Sequence, residues 1–405
     1  MNNLKSIEDI KKYGLPVVIF GAGIVGEALF FACEKAGIKV ECFCDNNVNK
    51  TKNQVCNIEV LYVQNLKNKY KDAVFLISAA DIKDVITQLN SMGYSKWCPC
   101  SVLLRNFDIH QYKFNVPMDF VEYAVGTGLL CHDSYLNPDK IFIRSVDIII
   151  TERCSLKCRD CSNLMQYYEK PRDCSIQELL LDIGNLCMIV DEVNEFRVIG
   201  GEPFMNKEFH LVIKRLVEEP KVKKIVVYTN GTILPKEEQL AFMKNEKLLI
   251  IITDYGKYSR KLEELSCILK ENNIAFYAPK VKGWTACSKI LKHNRQEPQQ
   301  KEVFLHCCSK NVITLSDGKI YRCPFSANMD RLRAMPECID DHINISLELK
   351  EGKGLNTVKK KVQAFLLEKQ YLETCDYCNG RSFDSPEITP AIQTKVPLEY
   401  RKYLK

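Results

Sequence analysis

The sequence predicts an α/β protein with two parallel-sheet domains, followed by a cysteine-rich region. Three observations carry this prediction. The first hundred residues alternate apolar strand segments with helical ones, and the alternation restarts near residue 144 and runs through five strand–helix repeats. The chain has 405 residues, which is enough for two or three domains, and 20 of its residues are cysteine.

Composition excludes several classes of protein. Hydrophobic residues make up 46% of the chain and charged residues 27%, which is typical of a globular protein and not of a disordered one. The net charge of +6 is spread along the chain, so no nucleic-acid partner is expected. The N-terminus lacks the apolar stretch of a secretory signal, and no apolar segment is long enough to cross a bilayer. We therefore expect a cytoplasmic protein without a membrane partner.

A cytoplasmic location changes what the cysteines imply. In a reducing compartment 20 cysteines do not form a disulfide framework. They point instead to metal binding, redox chemistry or reactive thiols, and their positions must decide between these.

The first domain opens with a dinucleotide-binding pattern. A strand leads into Gly21, Gly23 and Gly26, which begin a helix, and Asp45 ends the next strand. In this context we expect the glycines to admit a pyrophosphate to the helix N-terminus and Asp45 to bind ribose hydroxyls. The stretch is similar to the small Rossmann-like domain found beside sugar-modifying transferases, which implies a nucleotide or nucleotide-sugar as ligand. A docking domain without a ligand is the alternative.

The strongest motif is a cysteine triplet after the first strand of the second domain. Cys154, Cys158 and Cys161 are separated by three and two residues, so three soft thiolates on one loop can hold an iron–sulfur cluster. The next cysteine, Cys174, lies thirteen residues farther on, beyond Pro171. The spacing therefore predicts that one iron keeps an open position for a substrate or cofactor. A zinc knuckle and buried cysteines without a metal are the alternatives.

This triplet resembles the CxxxCxxC loop of the radical S-adenosylmethionine (SAM) superfamily. Gly200, Gly201, Glu202 and Pro203 end the second strand and match the GGE motif of that family. The resemblance implies that the triplet binds a 4Fe-4S cluster whose unique iron chelates SAM, and that Glu202 accepts a hydrogen bond from the methionyl ammonium. Asp160 departs from the family, which often has an aromatic residue there to pack on adenine.

The resemblance also implies SAM contacts at two further strand ends. Thr229 and Asn230 begin a TNG turn that would border the methionine or adenine moiety. Asp254, Ser259 and Arg260 follow the fourth strand and would meet the ribose and the cofactor carboxylate. Turn and capping roles are the alternative, because short polar residues favour strand ends in any case.

A second set of cysteines follows the barrel. Cys308 and Cys323 flank a predicted hairpin, and Cys375 and Cys378 form a CxxC motif. Four thiolates can close a cluster, and the arrangement resembles the SPASM extension and, more closely, its single-cluster twitch form. The resemblance implies a second, auxiliary 4Fe-4S cluster on these four residues. Cys307 is an equally suitable thiolate, since only spacing favours Cys308, and a structural zinc ribbon is the alternative.

Together these features predict a partial (β/α)6 radical SAM barrel, preceded by a Rossmann-like parallel-sheet domain and followed by a small twitch/SPASM-like domain. The predicted boundaries are 1–110 for the nucleotide-binding domain, 111–143 for a linker, 144–285 for the radical SAM core and 286–405 for the auxiliary domain.

The resemblance implies reductive cleavage of SAM, with a flavodoxin or ferredoxin-type protein as electron donor. The resulting 5′-deoxyadenosyl radical would abstract hydrogen from a small-molecule substrate. A closed auxiliary cluster can accept the electron left by a substrate radical, which favours oxidation. Twitch proteins that resemble this chain include a dehydrogenase acting on an aminocyclitol alcohol, so the resemblance implies an oxidoreductase that oxidises an alcohol carbon of a carbohydrate, cyclitol or nucleotide-sugar.

Three alternatives to this function stay open. The first is an epimerase in which the thiol of Cys287 returns hydrogen to a sugar, although a buried and inert role for this cysteine is the simpler interpretation. The second is a peptide- or protein-modifying enzyme of the SPASM type. The third is a non-enzymatic iron–sulfur or zinc interaction protein.

Overall fold

The computed structural model describes residues 2–4, 6–12, 14–66, 70–382 and 385–403. The chain divides into two units, Met1–Asp139 and Lys140–Lys405. Within the described residues, no helix combines the length and the apolar character that a membrane span requires.

The first unit is built on a seven-stranded sheet. Its strands are β1 (Asn2–Asn3), β2 (Val17–Phe20), β3 (Val40–Asp45), β4 (Gln54–Val55), β5 (Ile58–Tyr62), β6 (Val74–Ile77) and β7 (Lys96–Pro99). Its helices are α1 (Ile7–Lys12), α2 (Ile24–Lys35), α3 (Ile82–Ser91), α4 (Ser101–Leu104) and α5 (Met118–Leu136). The strand order is β1-β7-β6-β2-β3-β5-β4, and every pair is parallel except β4 with β5.

This topology is the predicted doubly wound sheet. The strands β2 and β6 are buried along their whole length, as expected where helices cover both faces of a parallel sheet. The chain winds from β2 to β3 on one side and reaches β6 on the other side. The strand order therefore reverses at the carboxyl end of β2, where open α/β sheets bind ligands.

Helix α5 occupies most of the range 111–143, which the sequence predicts to be a linker. It is 19 residues long and belongs to the first unit. The buried ring of His132 fastens it to the sheet, because Nδ1 accepts a hydrogen bond from the amide of Cys100 at 3.1 Å and Nε2 donates to the carbonyl of Ala79 at 2.8 Å. Pro117 stands at the N-cap of this helix, where a proline leaves the helix intact. The linker prediction is corrected accordingly.

His132 makes the first unit sensitive to acid. Burial lowers the pKa of its imidazole from 6.5 to about 4, against the weaker effect of its bond to Ala79. The unfolded chain therefore binds more protons than the folded one between these two values, and the free energy of unfolding decreases as the pH falls through that window. The full loss is about 3 kcal/mol, and it is absent above the unfolded pKa.

Denaturant unfolding at several pH values tests this prediction. The chain has two tryptophans, so a Trp284→Phe background leaves Trp97 as the fluorescence reporter of the first unit. His132→Gln should remove most of the pH dependence between pH 6.5 and pH 4, because an amide does not titrate. An equal decrease in the free energy of unfolding with and without the His132→Gln substitution would show that other groups cause the acid sensitivity.

The second unit contains an eight-stranded sheet with the order β12-β11-β10-β9-β8-β14-β15-β16. Its strands are β8 (Phe142–Ile149), β9 (Glu192–Ile199), β10 (Val222–Thr229), β11 (Leu248–Ile252), β12 (Phe276–Tyr277), β14 (Val312–Ser316), β15 (Lys319–Tyr321) and β16 (His342–Asn344), and a separate pair consists of β13 (Trp284–Thr285) and β17 (Glu387–Ile388). The helices are α6 (Ile176–Ile189), α7 (Phe209–Glu218), α8 (Glu237–Met243), α9 (Leu262–Glu271), α10 (Glu297–His306), α11 (Pro324–Leu332), α12 (Ile345–Lys350) and α13 (Leu355–Glu368).

Strands and helices alternate from β8 to β12, and the six strands from β12 to β14 in the sheet order pair in parallel. This is the partial parallel barrel that the sequence predicts. On β8, Val146 and Ile148 join the apolar core on the helix side. Asp147 and Ile149 point to the opposite, inner face, because successive residues of a strand alternate.

The predicted hairpin is present as β14 and β15, with Asp317 and Gly318 in the turn at φ values of 52° and 74°. The sequence pattern does not reveal that β14 also pairs in parallel with β8. The barrel sheet therefore crosses the predicted boundary between 144–285 and 286–405, and both ranges fall in the second unit.

Candidate metal centres

The cysteine triplet lies on the loop that follows β8. Burial and then the charge of Cys154 raise the pKa of the Cys161 thiol to about 11. Burial and then the charges of Cys161 and Cys154 raise the pKa of the Cys158 thiol as well. Three thiols this close repel one another as thiolates, and a positively charged metal group overcomes that repulsion. The donor set therefore fits an iron–sulfur cluster.

No three His, Cys, Asp or Glu side chains in the described part of the chain are arranged around a single metal ion. A 4Fe-4S cluster is bound differently, because each thiolate ligates its own iron at a corner of the cluster.

Gly200 and Gly201 let the end of β9 lie directly against the cysteine loop. A Cβ atom at Gly200 would lie 2.4 Å from the carbonyl oxygen of Thr151, and one at Gly201 would lie 2.0 Å from that of Arg153. In their place the amides of Gly201 and Glu202 donate to these two carbonyls, each at 2.8 Å. The two glycines thus position the loop that carries the cysteines.

Glu202 does not reach open space. Its carboxylate is 0% exposed and accepts hydrogen bonds from the hydroxyl of Thr229 and the amide of Asn230, both at 2.8 Å. Burial raises the pKa of Glu202 to about 7, although these bonds act in the opposite direction. Glu202 therefore holds the TNG turn, and its contact with the methionyl ammonium stays a prediction. Pro203 is buried in the turn that follows.

Asn230 connects the end of β10 to the cysteine loop. Its Nδ2 donates to the hydroxyl of Ser155 at 3.3 Å and lies 3.6 Å from the Sγ of Cys154. The hydroxyl of Ser259 donates to the carbonyl of Asn230 at 2.8 Å. The carboxyl ends of β8 to β11 therefore meet at one place, which is the edge where parallel βα barrels carry their sites.

The other two residues predicted after β11 lie apart from this group. Asp254 accepts the amide of Gly256 at 2.7 Å, which is a turn-forming role. Arg260 is exposed.

Sequence reasoning missed Tyr255 beside the triplet. Its ring meets that of Trp284 edge to face at 5.5 Å, and both rings pack against the apolar cluster around Cys158. Burial, followed by the charge of Cys158, raises the pKa of Tyr255. The sequence does contain a sign of this residue, because Tyr255 directly follows Thr253 and Asp254 at the polar end of the fourth strand. Asp160, in contrast, pairs with Arg159 at 3.0 Å.

The inner face of the sheet carries a second group of polar residues. Arg197 binds Asp147 through two nitrogens, with Nη2 to Oδ2 at 2.8 Å, and lies 5.8 Å from the centre of the Tyr228 ring. Although Arg197 lies on a central strand, 25% of its side chain is exposed, so this face borders open space. Next to Asp147 in register is Thr314, whose buried hydroxyl has no hydrogen-bond partner among the described residues.

A second ion pair lies just beyond the carboxyl end of β8. Arg331 of α11 donates to Glu152 at 2.6 Å, and both side chains are buried. The same helix presents Asn328, whose Oδ1 accepts the hydroxyl of Tyr168 at 2.8 Å. Since α11 begins directly after Cys323, it runs from the second set of cysteines to the polar group beside the first.

Cys307, Cys323, Cys375 and Cys378 line one cavity. Backbone amides donate to three of their sulfurs, from Ser309 to Cys307 at 3.4 Å, from Ser326 to Cys323 at 3.4 Å and from Gly380 to Cys378 at 3.3 Å. Four converging thiols with such hydrogen bonds suit an iron–sulfur cluster.

Cys308, which the spacing favours as the fourth ligand, does not line this cavity and is exposed. Cys307 takes its place. Cys307 forms the extended C-cap of α10, and adjacent residues in extended backbone point in opposite directions. Only one of the two neighbouring thiols can therefore face the cavity.

Cys287 lies between the two sets of cysteines. It is buried, and it contributes, after burial and nearer groups, to the raised pKa values of both Cys161 and Cys378. It therefore lies near both cysteine sets, and its role in returning hydrogen to a substrate stays a prediction.

In the first unit, two of the three glycines are required by packing. A Cβ atom at Gly21 would lie 2.4 Å from the Oγ of Ser78, and one at Gly26 would lie 2.1 Å from the carbonyl oxygen of Gly21. At Gly23 the nearest atom is the Nζ of Lys50 at 3.8 Å. Gly23 is therefore the position that leaves room at the helix N-terminus.

The Asp45 carboxylate is already hydrogen-bonded to residues around this glycine loop. It accepts hydrogen bonds from the amides of Ala22 at 2.9 Å and Asn47 at 2.8 Å, and from the ammonium of Lys50 at 2.9 Å. A ribose at this position would have to share the carboxylate with Lys50.

Comparisons with known proteins agree with the resemblance that the cysteine loop shows to the radical SAM superfamily. Residues 148–254 match the profile of the radical SAM superfamily. The GTP 3′,8-cyclase of Clostridium acetobutylicum is 28% identical over 149 residues, which is 32% of this chain and 45% of that protein. The mitochondrial GTP 3′,8-cyclase of Arabidopsis thaliana is 32% identical over 92 residues, which is 22% of this chain and 23% of that protein. The chain thus spans less than half the length of these curated relatives.

Two solved structures show a partial likeness. BtrN in complex with AdoMet and 2-DOIA aligns with a TM-score of 0.35 and 14% identity over 58% of this chain and 98% of that one. SuiB of Streptococcus suis bound to S-adenosylmethionine aligns with a TM-score of 0.31 and 16% identity over 50% of this chain and 48% of that one.

Proposed function

Residues 148–254 of this chain form a radical SAM domain, and from that premise we propose that the protein is an oxidoreductase that converts an alcohol carbon of a carbohydrate, cyclitol or nucleotide-sugar to a ketone. The observation that carries the proposal is the presence of two cysteine sets in one unit, with polar residues between them. When bound, the 4Fe-4S cluster and SAM supply a 5′-deoxyadenosyl radical that abstracts hydrogen.

The residues around the triplet would bind and orient this cofactor. Cys154, Cys158 and Cys161 would ligate three irons and leave the fourth for SAM. Asn230, whose amide lies 3.6 Å from Cys154, would fix the orientation of that thiolate. Tyr255 would supply the aromatic surface for adenine that Asp160 cannot offer.

The inner polar group supports a substrate rich in hydroxyl groups. Arg197 keeps 25% of its side chain exposed while Asp147 neutralises its charge, so it would offer a substrate hydrogen bonds without demanding an anion. A polar surface of this kind favours a polyol over an apolar peptide segment, because an apolar segment would leave the exposed part of the Arg197 side chain without hydrogen bonds.

The second set of cysteines supports oxidation over epimerisation. Oxidation of an alcohol releases one hydrogen atom to the deoxyadenosyl group, the hydroxyl proton to a base, and one electron. Four protein thiolates would close the auxiliary cluster against substrate and leave it free to accept that electron. A flavodoxin or ferredoxin-type protein would supply the electron that cleaves SAM.

The first unit would bind a nucleotide or nucleotide-sugar at the amino end of α2. Gly23→Asp tests this, because a side chain at Gly23 meets only the flexible Lys50 and should leave the fold intact. Calorimetric titration of the wild type with NAD, UDP-sugars and CDP-linked compounds should give binding heat that the variant lacks. The absence of heat from every nucleotide, with the variant fully active, would refute a nucleotide role for this unit.

Deuterium transfer tests the whole proposal. The reconstituted protein is incubated anaerobically with SAM, a reductant and a panel of deuterated sugars, cyclitols and nucleotide-sugars, with GTP included because the curated relatives are GTP 3′,8-cyclases. We expect deuterium in 5′-deoxyadenosine and a ketone product from a member of the first three classes. A cyclised product formed only from GTP would show that the protein is a cyclase, and an alcohol of inverted configuration would show that it is an epimerase. Either product would contradict the proposed oxidation.

A further inference from the structure

The segment 387–398, which we call the C-terminal strap, lies across the cysteine loop. The amide of Arg159 donates to the carbonyl of Ile392 at 2.6 Å, and the amide of Thr394 donates to the carbonyl of Lys157 at 2.9 Å. These bonds connect the strap to the backbone on both sides of the second cysteine of the triplet.

Cys158 lies directly beneath the strap. It forms an antiparallel bridge with Gln393, and its side chain is 7% exposed. Ala391 of the strap is 1% exposed and packs in the same apolar cluster as Cys158 and Leu156. Cys154 and Cys161 are more accessible than Cys158. The strap therefore covers one cysteine of the triplet in particular.

The strap is fastened at both ends by the second unit itself. At its start, Ile388 pairs with Trp284 in a two-stranded sheet, and Trp284 contacts Tyr255 beside the triplet. At its end, the amide of Leu398 donates to the carbonyl of Gln166 at 2.9 Å, on the loop that follows Cys161. A segment held at both ends and in the middle restrains the loop below it.

We propose that the C-terminal strap is a positioning element of the first metal site. It holds the backbone of Cys158 in the conformation that presents the thiolate, and it shields that corner of the site from water, chelators and oxidants. Hydrogen bonding and solvent exposure around the ligands set the potential and the lability of a cluster. The part of the proposal that concerns a cluster depends on the proposed function, whereas the restraint of Cys158 does not.

Thr394→Pro removes the amide that bonds to Lys157 without shortening the chain. Thr394→Ala is the matched control, because it keeps this amide and, like Thr394→Pro, lacks the hydroxyl that donates to the carbonyl of Val396 at 2.6 Å. In the metal-free full-length chain, Thr394→Pro should accelerate hydrogen exchange at the amide of Arg159 about tenfold and should accelerate alkylation of Cys158 by a similar factor. Thr394→Ala should match the wild type in both measurements. Unchanged exchange and alkylation in Thr394→Pro would overturn the proposal.

The loaded protein gives a second measurement. After anaerobic reconstitution, removal of iron by a chelator and bleaching by oxygen should both be several times faster in Thr394→Pro than in Thr394→Ala. Deletion of 391–405 should have a larger effect in the same direction. Equal rates in all variants would contradict shielding. Failure of every variant and the wild type to bind iron would refute the metal site, while the metal-free measurements would still decide the role of the strap.

Discussion

Cys161→Ala is expected to abolish both the first cluster and SAM cleavage. The next thiol in the chain, Cys174, is engaged elsewhere, because it donates to the carbonyl of Ile149 at 2.6 Å and lies 3.6 Å from the guanidinium of Arg331. A cluster deprived of one of its three protein ligands loses its anchorage. Iron and sulfide content, together with 5′-deoxyadenosine formation, measures the effect.

Cys174→Ala is the matched control for this experiment. It removes a thiol near the same strand end but outside the triplet, so it should keep the iron content and the SAM cleavage of the wild type. Full cleavage by Cys161→Ala, or loss of the cluster in Cys174→Ala alone, would contradict the assignment of the triplet.

The second large effect separates two adjacent cysteines. Cys307→Ala should lower the iron content from about eight to about four atoms per chain, because Cys307 lines the cavity of the auxiliary site. Cys308→Ala should leave it at about eight, because Cys308 is exposed. Iron analysis with spectroscopy of the reduced protein distinguishes the two variants.

The same pair of variants separates the functions of the two sites. Cys307→Ala should still form 5′-deoxyadenosine but should no longer yield the oxidised product, since the electron acceptor is missing. Loss of iron in Cys308→Ala with retention in Cys307→Ala would reverse the assignment.

The sequence predicts the features that depend on short spacings. The triplet needs only eight consecutive positions to define a loop that can bind a cluster, and the alternation of strands and helices needs only apolar periodicity. The hairpin at Asp317 and Gly318 follows from the same local reasoning, because this dipeptide adopts the left-handed turn.

Features that depend on tertiary packing cannot be predicted from the sequence alone. The choice between Cys307 and Cys308 depends on where α10 ends, and the parallel pairing of β14 with β8 joins segments more than 150 residues apart. Glu202 is buried and hydrogen-bonded to the TNG turn, a partner that the local sequence around the GGE motif does not reveal. The helix around His132 was hidden because its Gly and Pro residues resemble a linker.

Magnetic resonance of the reduced protein with isotopically labelled SAM tests the central claim most directly. We predict that adding SAM changes the spectrum of the first cluster, and that nitrogen-15 in the amino group and oxygen-17 in the carboxylate of SAM show hyperfine coupling to it. A spectrum that SAM leaves unchanged, without coupling to either label, would mean that the site bound by Cys154, Cys158 and Cys161 has no coordination position for SAM.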